Sequence, residues 1–159
     1  MTSVKEIFDL IRQPLKESER KLIIKAYDFA KAAHEGQKRQ SGEPYFVHVF
    51  EVGKNLAEMN MDPITIAAGI LHDTLEDTPT SEEMLRAEFG DEIVFLVKGV
   101  TKLGKLKYRG KERHVESLRK FFLAVSEDIR VLIIKLADRL HNVKTLQYVR
   151  EYKRKRIAL

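Results

Sequence analysis

A chain of 159 residues with 43% hydrophobic and 33% charged positions is long enough to bury one sizeable core, and its composition excludes a disordered polymer. It has no cysteine, which rules out disulfides, zinc–thiolate centres and thiol nucleophiles. The formal charge of +5 hides an asymmetry: residues 1–100 carry 12 Lys/Arg against 18 Asp/Glu, whereas 101–159 carry 17 against 6, so the first part suits cations and the second suits phosphates, nucleic acid or an acidic partner.

The opening MTSVKEIFDL has neither the basic start nor the apolar centre of a signal peptide, and no apolar run approaches the roughly 18 residues of a membrane span. A cytoplasmic protein is expected. Apolar residues then recur with helical period along nearly the whole chain. Ser18 is placed to cap a helix striped by Leu22, Ala26, Phe29 and Ala33, which Gly36 would end. "GQKRQSGEPY", 36–45, reads as a loop from its two glycines and its proline. Val49, Val52, Leu56 and Met59 stripe a second helix with His48 on its first turn. Asp62 before Pro63 is a strong start signal for a third, because the acid caps and proline fits the first helical position. Thr80 with Glu83 predicts a capping box for 81–89, Gly90 a stop, and Asp91 the entry to an apolar run ending near Gly99. Val115, Leu118, Phe122 and Val125 stripe a further helix, and Ile129, Leu132, Ile133, Leu136, Leu140 and Val143 a long last one. "VLII" at 131–134 has strand-like β-branching, but the helical stripe runs through it. The fold class expected is all-α, in one domain spanning 1–159.

Chemistry concentrates in "LHDTLEDT", 71–78, where His72, Asp73, Glu76 and Asp77 follow the apolar run Ile64–Leu71. At helical spacing His72 shares a face with Glu76, and Asp73 with Asp77. Two acids four positions apart repel by about 0.2–0.5 kcal/mol on an open helix, and by more where water is scarce. A bound cation would offset that cost; the plain alternative is a solvated acidic helix end. Asp138, in "KLADRLHN", is an acid among Leu136, Leu140 and Val143, which suits either a ligand role or a salt bridge to Lys135 or Arg139. His48, on the second helix, is a further candidate whose alternative is a structural core histidine. Imidazole nitrogens with carboxylate oxygens suit manganese, iron, zinc or cobalt and are poor for calcium. Asn142 and Thr145 follow Asp138 on one helix face, and Arg39 in the 36–45 loop is able to stack on a base or fork onto phosphate, or is an incidental surface arginine.

A histidine at 48, the His-Asp pair at 72–73 and an aspartate at 138 resemble the ordered motif of HD metal-dependent phosphohydrolases. The longer stretches "HEGQKRQSGEPYFVH", "IAAGILHDTLEDT", "FGDEIVFLVKGVTKL" and "DIRVLIIKLADRLHNVKTL" resemble the N-terminal hydrolase domain of the RelA/SpoT (Rel) alarmone enzymes, from about residue 20 onward. The resemblance implies an HD-type helical bundle with its metal site between helices. It makes His48, His72, Asp73 and Asp138 ligands of one manganese ion, and Glu76 and Asp77 the acids that orient and activate the attacking water. It places Arg39, Gln40, Ser41, Asn142 and Thr145 against the guanine nucleotide. The implied reaction removes pyrophosphate from the 3′ position of (p)ppGpp, leaving GDP or GTP, in the stringent response.

The sequence departs from relatives at Val49, often proline, at Ser117, often asparagine, and at Gln40, often lysine. By the same resemblance the chain is a fragment of a longer Rel/SpoT-like protein, whose alarmone synthetase (GTP pyrophosphokinase) part would follow. The expected partner is a small-molecule alarmone rather than a membrane or nucleic acid. Two readings from other classes compete: a basic RNA- or ribosome-binding module, and a folded, catalytically silent regulatory domain. Against the first, Tyr108 is the one aromatic within the basic stretch 102–113, whereas single-strand binders stack bases on several.

Overall fold

Asp62 and Pro63 start the central helix as the sequence predicts. The Asp62 carboxylate accepts the backbone N–H groups of Ile64 and Thr65, both at 3.0 Å, and the missing N–H of proline leaves no donor unpaired at the first position. The computed structural model describes residues 2–104, 122, 123 and 126–145. Among these it is all-α: α1 (Val4–Leu10), α2 (Glu17–Ala33), α3 (Tyr45–Glu58), α4 (Pro63–Leu71), the single turn α5 (Thr74–Asp77), α6 (Glu82–Gly104) and α7 (Ile129–Lys144). The basic stretch 105–113, the stripe positions Val115, Leu118 and Val125, and the basic tail 146–159 lie outside the described residues. No described helix is long and apolar enough to cross a membrane.

Every residue of α4 from Thr65 to Leu71 is buried, so this helix forms the axis against which α2, α3, α6 and α7 pack. Two glycines let α3 and α4 approach closely. A Cβ on Gly69 would collide with Leu56 Cδ1, and one on Gly53 would stand 2.6 Å from Ile70 Cγ1. A third glycine does the same for α6 and α7, because a Cβ on Gly99 would meet Val131 Cγ2 at 2.7 Å. These approaches bring the first turn of α3, the end of α4 and the middle of α7 to one place, and all three carry the candidate ligands.

Several local expectations need correction. The cap of α2 is Lys16, whose backbone N–H donates to Glu19 Oε2 at 2.7 Å; Ser18 lies inside the first turn. The buried stripe of α2 is Ile23, Ala26, Tyr27 and Ala30, one step round from the predicted one. Ser81 rather than Thr80 caps α6, its hydroxyl accepting from Met84 N at 3.2 Å. As expected, Gly90 ends the first helical stretch of α6, with a φ of 81° that L-residues rarely adopt, and a second stretch begins at Asp91. The short α1 was not expected; Ser3 and Glu6 form its capping box. The largest correction concerns α7. Of the predicted stripe, Ile129, Leu136, Leu140 and Val143 are exposed and Ile133 packs against the core, while Val131, Ile134, Ala137, Asp138 and His141 point inward.

Candidate functional site

Helix α4 ends at Leu71, and the chain turns through His72 and Asp73 before α5 begins. The turn keeps an i to i+4 bond, Asp77 N–H to Asp73 O at 2.9 Å, so Asp73 and Asp77 remain on one side. His72 is fully buried, and its Nδ1–H donates to the Gly69 carbonyl at 2.8 Å. A carbonyl only accepts, so the proton on Nδ1 is fixed and Nε2 is turned into the site. That Nε2 is buried and makes no hydrogen bond, although Asp73 Oδ1 lies 3.1 Å away and Asp138 Oδ1 3.9 Å away.

From α3, His48 Nε2 faces the same space, 3.2 Å from Asp138 Oδ1 and 3.6 Å from Asp73 Oδ2. His48, His72 and Asp138 each offer a ligand atom, all within 4.8 Å of one another. Donors about 2.1 Å from a shared ion lie roughly 3–4 Å apart, so the spacing and the nitrogen–oxygen chemistry both fit a divalent metal. An orphaned, buried imidazole nitrogen beside two carboxylates is costly unless a cation completes it. Asp73 presents one oxygen to each histidine from the fourth side.

The electrostatics follow from burial and the crowding of charge. Burial by itself disfavours the His72 imidazolium, but Asp73 and Asp138 outweigh it and push its pKa up to about 9. His48 moves the other way, because burial outweighs its contact with Asp138. Burial would raise both carboxyls; instead the histidines, and for Asp138 also Lys135, hold them well below the usual range. Lys135 Nζ reaches Asp138 Oδ2 at 2.8 Å, so Asp138 makes the salt bridge offered as the alternative and still turns Oδ1 to His48. Asn142 Nδ2 donates to that Oδ1 at 2.7 Å.

The sequence reading missed Tyr45 and His141. Tyr45 precedes His48 by one helical turn, and its hydroxyl lies 2.8 Å from Asp73 Oδ2 and 2.7 Å from Asp77 Oδ2. It thus stands between the two acids whose repulsion the sequence posed as a problem. Burial, with Asp73 beside it, keeps the phenol protonated well above its ordinary range. His34 stacks on the Tyr45 ring at 4.8 Å and contacts Gln37, whose amide donates to the Asp77 carbonyl at 2.6 Å. His141, one turn past Asp138, places Nδ1 2.8 Å from His48 Nδ1. Spacing to a suspected ligand, i−3 for Tyr45 and i+3 for His141, was the available signal.

The 36–45 loop folds back on itself through Arg39 N–H to Glu43 O and Tyr45 N–H to Gln37 O, both 2.9 Å, with Gly42 at a φ of 86°. This aims Arg39 at α7. Its guanidinium donates to Asn142 Oδ1 at 2.5 Å, His141 Nδ1 at 3.3 Å and Thr145 Oγ1 at 3.4 Å. Arg39, Asn142 and Thr145 therefore form one corner next to the histidine–carboxylate cluster. Gln40 is exposed, and the Ser41 hydroxyl turns back to Glu43 at 3.3 Å, so the structure does not bring these two to that corner. Glu76 and Asp77 are both exposed at the rim, with Asp77 tied in through Tyr45.

The HD-domain family profile matches residues 26–159. The chain is 53% identical over 136 residues to a guanosine-3′,5′-bis(diphosphate) 3′-pyrophosphohydrolase of Aquifex aeolicus, covering 86% of this chain and 19% of that protein. It is 49% identical over 150 residues to the bifunctional (p)ppGpp synthase/hydrolase SpoT of Escherichia coli K12, covering 94% of this chain and 21% of that one. The chain thus spans about a fifth of the length of these relatives. A solved structure described as a metazoan ortholog of SpoT that hydrolyzes ppGpp superposes with a TM-score of 0.68 at 25% identity, over 91% of this chain and 81% of that one. The chain belongs to the HD-domain family, and within it to the RelA/SpoT (Rel) branch.

Proposed function

We propose that this domain is a manganese-dependent (p)ppGpp 3′-pyrophosphohydrolase that acts in the cytoplasm during the stringent response. The observation that carries the proposal is the buried, unpartnered Nε2 of His72, held in one pocket with His48, Asp73 and Asp138 and adjoining the Arg39–Asn142–Thr145 corner. Four ligands are assigned: His48, His72, Asp73 and Asp138. A manganese ion held by them would supply Lewis acidity toward a phosphate oxygen and lower the pKa of water beside it.

The chain's own groups do the rest. Gly69 fixes the His72 ring, Lys135 and Asn142 fix Asp138, and Tyr45 fixes Asp73, so the donors are set before substrate arrives. Asp77 and Glu76 stand one turn beyond Asp73 and His72, and one of them accepts the proton of the attacking water. Water adds to the 3′ pyrophosphate and the nucleotide leaves as GDP or GTP. Arg39, with Asn142 and Thr145, binds the guanine nucleotide through stacking and hydrogen bonds. The test is incubation with ppGpp and manganese, following pyrophosphate. Stoichiometric release with GDP supports the reading, whereas binding of ppGpp without release would make this a silent regulatory domain.

A further inference from the structure

His141 belongs to no assigned role, yet it is buried on the inner face of α7 and touches both halves of the site. Its Nδ1 lies 2.8 Å from His48 Nδ1 and 3.3 Å from Arg39 Nη1. With both contacts as hydrogen bonds to the one lone pair of His141 Nδ1, the proton positions follow from donor chemistry. A guanidinium has only N–H groups and no acceptor, so at the Arg39 contact the His141 Nδ1 must present its lone pair. An Nδ1 that presents a lone pair carries no hydrogen, so at the 2.8 Å contact the hydrogen has to come from His48. His48 is then the Nδ1–H tautomer, and its Nε2 is bare.

That bare nitrogen is the atom that faces Asp138 Oδ1 at 3.2 Å and Asp73 Oδ2 at 3.6 Å. Two acceptors facing each other at such a distance repel, an arrangement suited to a shared cation. We infer that His141 is a positioning residue: through its Nδ1 lone pair it fixes the tautomer and ring orientation of His48 and ties that ligand to the Arg39–Asn142 corner. Metal-bound histidines are commonly oriented by a carboxylate or carbonyl that accepts their second N–H. Here a neutral imidazole fills that place. It adds no charge beside Arg39, and it can itself be held by Arg39, which a backbone carbonyl would do without reporting on the nucleotide corner.

This inference rests on the ligand role proposed for His48, and the experiment separates the two. Long-range proton–nitrogen spectra of the metal-free, nitrogen-labelled protein report which ring nitrogen of His48 carries hydrogen. A protonated Nδ1 with a bare Nε2 is expected, and the opposite pattern overturns the inference. Calorimetry with manganese then compares two variants. His141→Leu removes the acceptor and should weaken manganese about 10–100-fold, the range seen when an orienting partner is lost. His141→Asn places an amide oxygen near the former Nδ1 and should recover most of that loss. Unchanged affinity in His141→Leu, or equal weakening in both variants, overturns the positioning role. A parent chain that shows the Nδ1–H tautomer but no manganese binding would remove the metal reading and leave the tautomer assignment standing.

Discussion

Manganese binding should expel a proton from His72, and the amount can be worked out from the site. Asp73 and Asp138 outweigh burial and hold the His72 pKa at about 9, against an ordinary value of 6.5. At pH 7.5 the ring of the metal-free protein is therefore almost fully protonated, its Nε2 facing Asp73 Oδ1 at 3.1 Å. Coordination needs that nitrogen bare, so binding at pH 7.5 should release close to one proton. Apparent affinity should rise by about tenfold per pH unit up to pH 9 and level off above it. The sign of the stability effect follows from the raised pKa. The contribution to metal-free stability is complete below pH 6.5 and is lost as pH climbs through the raised pKa. Titration calorimetry in buffers of differing ionisation enthalpy measures the proton count directly. A count near zero at pH 7.5 would refute the reasoning, and with it the claim that His72 serves as a proton-loaded ligand.

Other outcomes follow from single contacts. His72→Ala should abolish stoichiometric manganese binding, and metal analysis showing full occupancy in that variant would remove the ligand set. Glu76→Gln and Asp77→Asn keep size while removing basicity, so one of them should cut pyrophosphate release by roughly 100-fold; near-normal rates in both would contradict the general-base assignment. Arg39→Ala should weaken ppGpp binding by about 1–3 kcal/mol in calorimetry with little change in manganese affinity, and unchanged ppGpp affinity in both Arg39→Ala and Asn142→Ala would put the nucleotide elsewhere. Gly69→Ala forces a methyl group against Leu56 Cδ1 at the α3–α4 contact, so denaturant unfolding should show a loss of about 1–3 kcal/mol; a neutral result would mean that the two helices part without cost.

The ligand cluster was legible in the sequence for a reason separate from fold detail. His48 lies between Val47 and Val49, His72 follows Ile70 and Leu71, and Asp138 follows Leu136 and Ala137, so each is an ionisable group within an apolar stretch that folding would bury. Their convergence was not legible from periodicity, because it depends on how closely the helices approach. Gly53 and Gly69 set that approach between α3 and α4, and Gly99 sets it between α6 and α7. Cap positions slipped by one or two residues where adjacent polar side chains compete, as Lys16 did with Ser18 and Ser81 with Thr80.

Helix α7 shows the harder limit, and it also shows what overrides apolar patterning. It carries two apolar stripes, and the bulkier one, with Ile129, Leu136, Leu140 and Val143, is the natural choice for the core. The helix instead buries Val131, Ile134 and Ala137, together with Asp138 and His141. Branched Val131 fits where Gly99 of α6 comes close, its Cγ2 only 2.7 Å from the place a Cβ on that glycine would take. Asp138 must reach Lys135, Asn142 and His48, and His141 must reach His48 and Arg39, before either can be buried at tolerable cost. Apolar area therefore sets that a helix packs, while the few polar groups needing partners set which way it faces. In a helix with two candidate stripes, the one holding the ionisable pair is the inner one wherever other helices offer that pair its ligands.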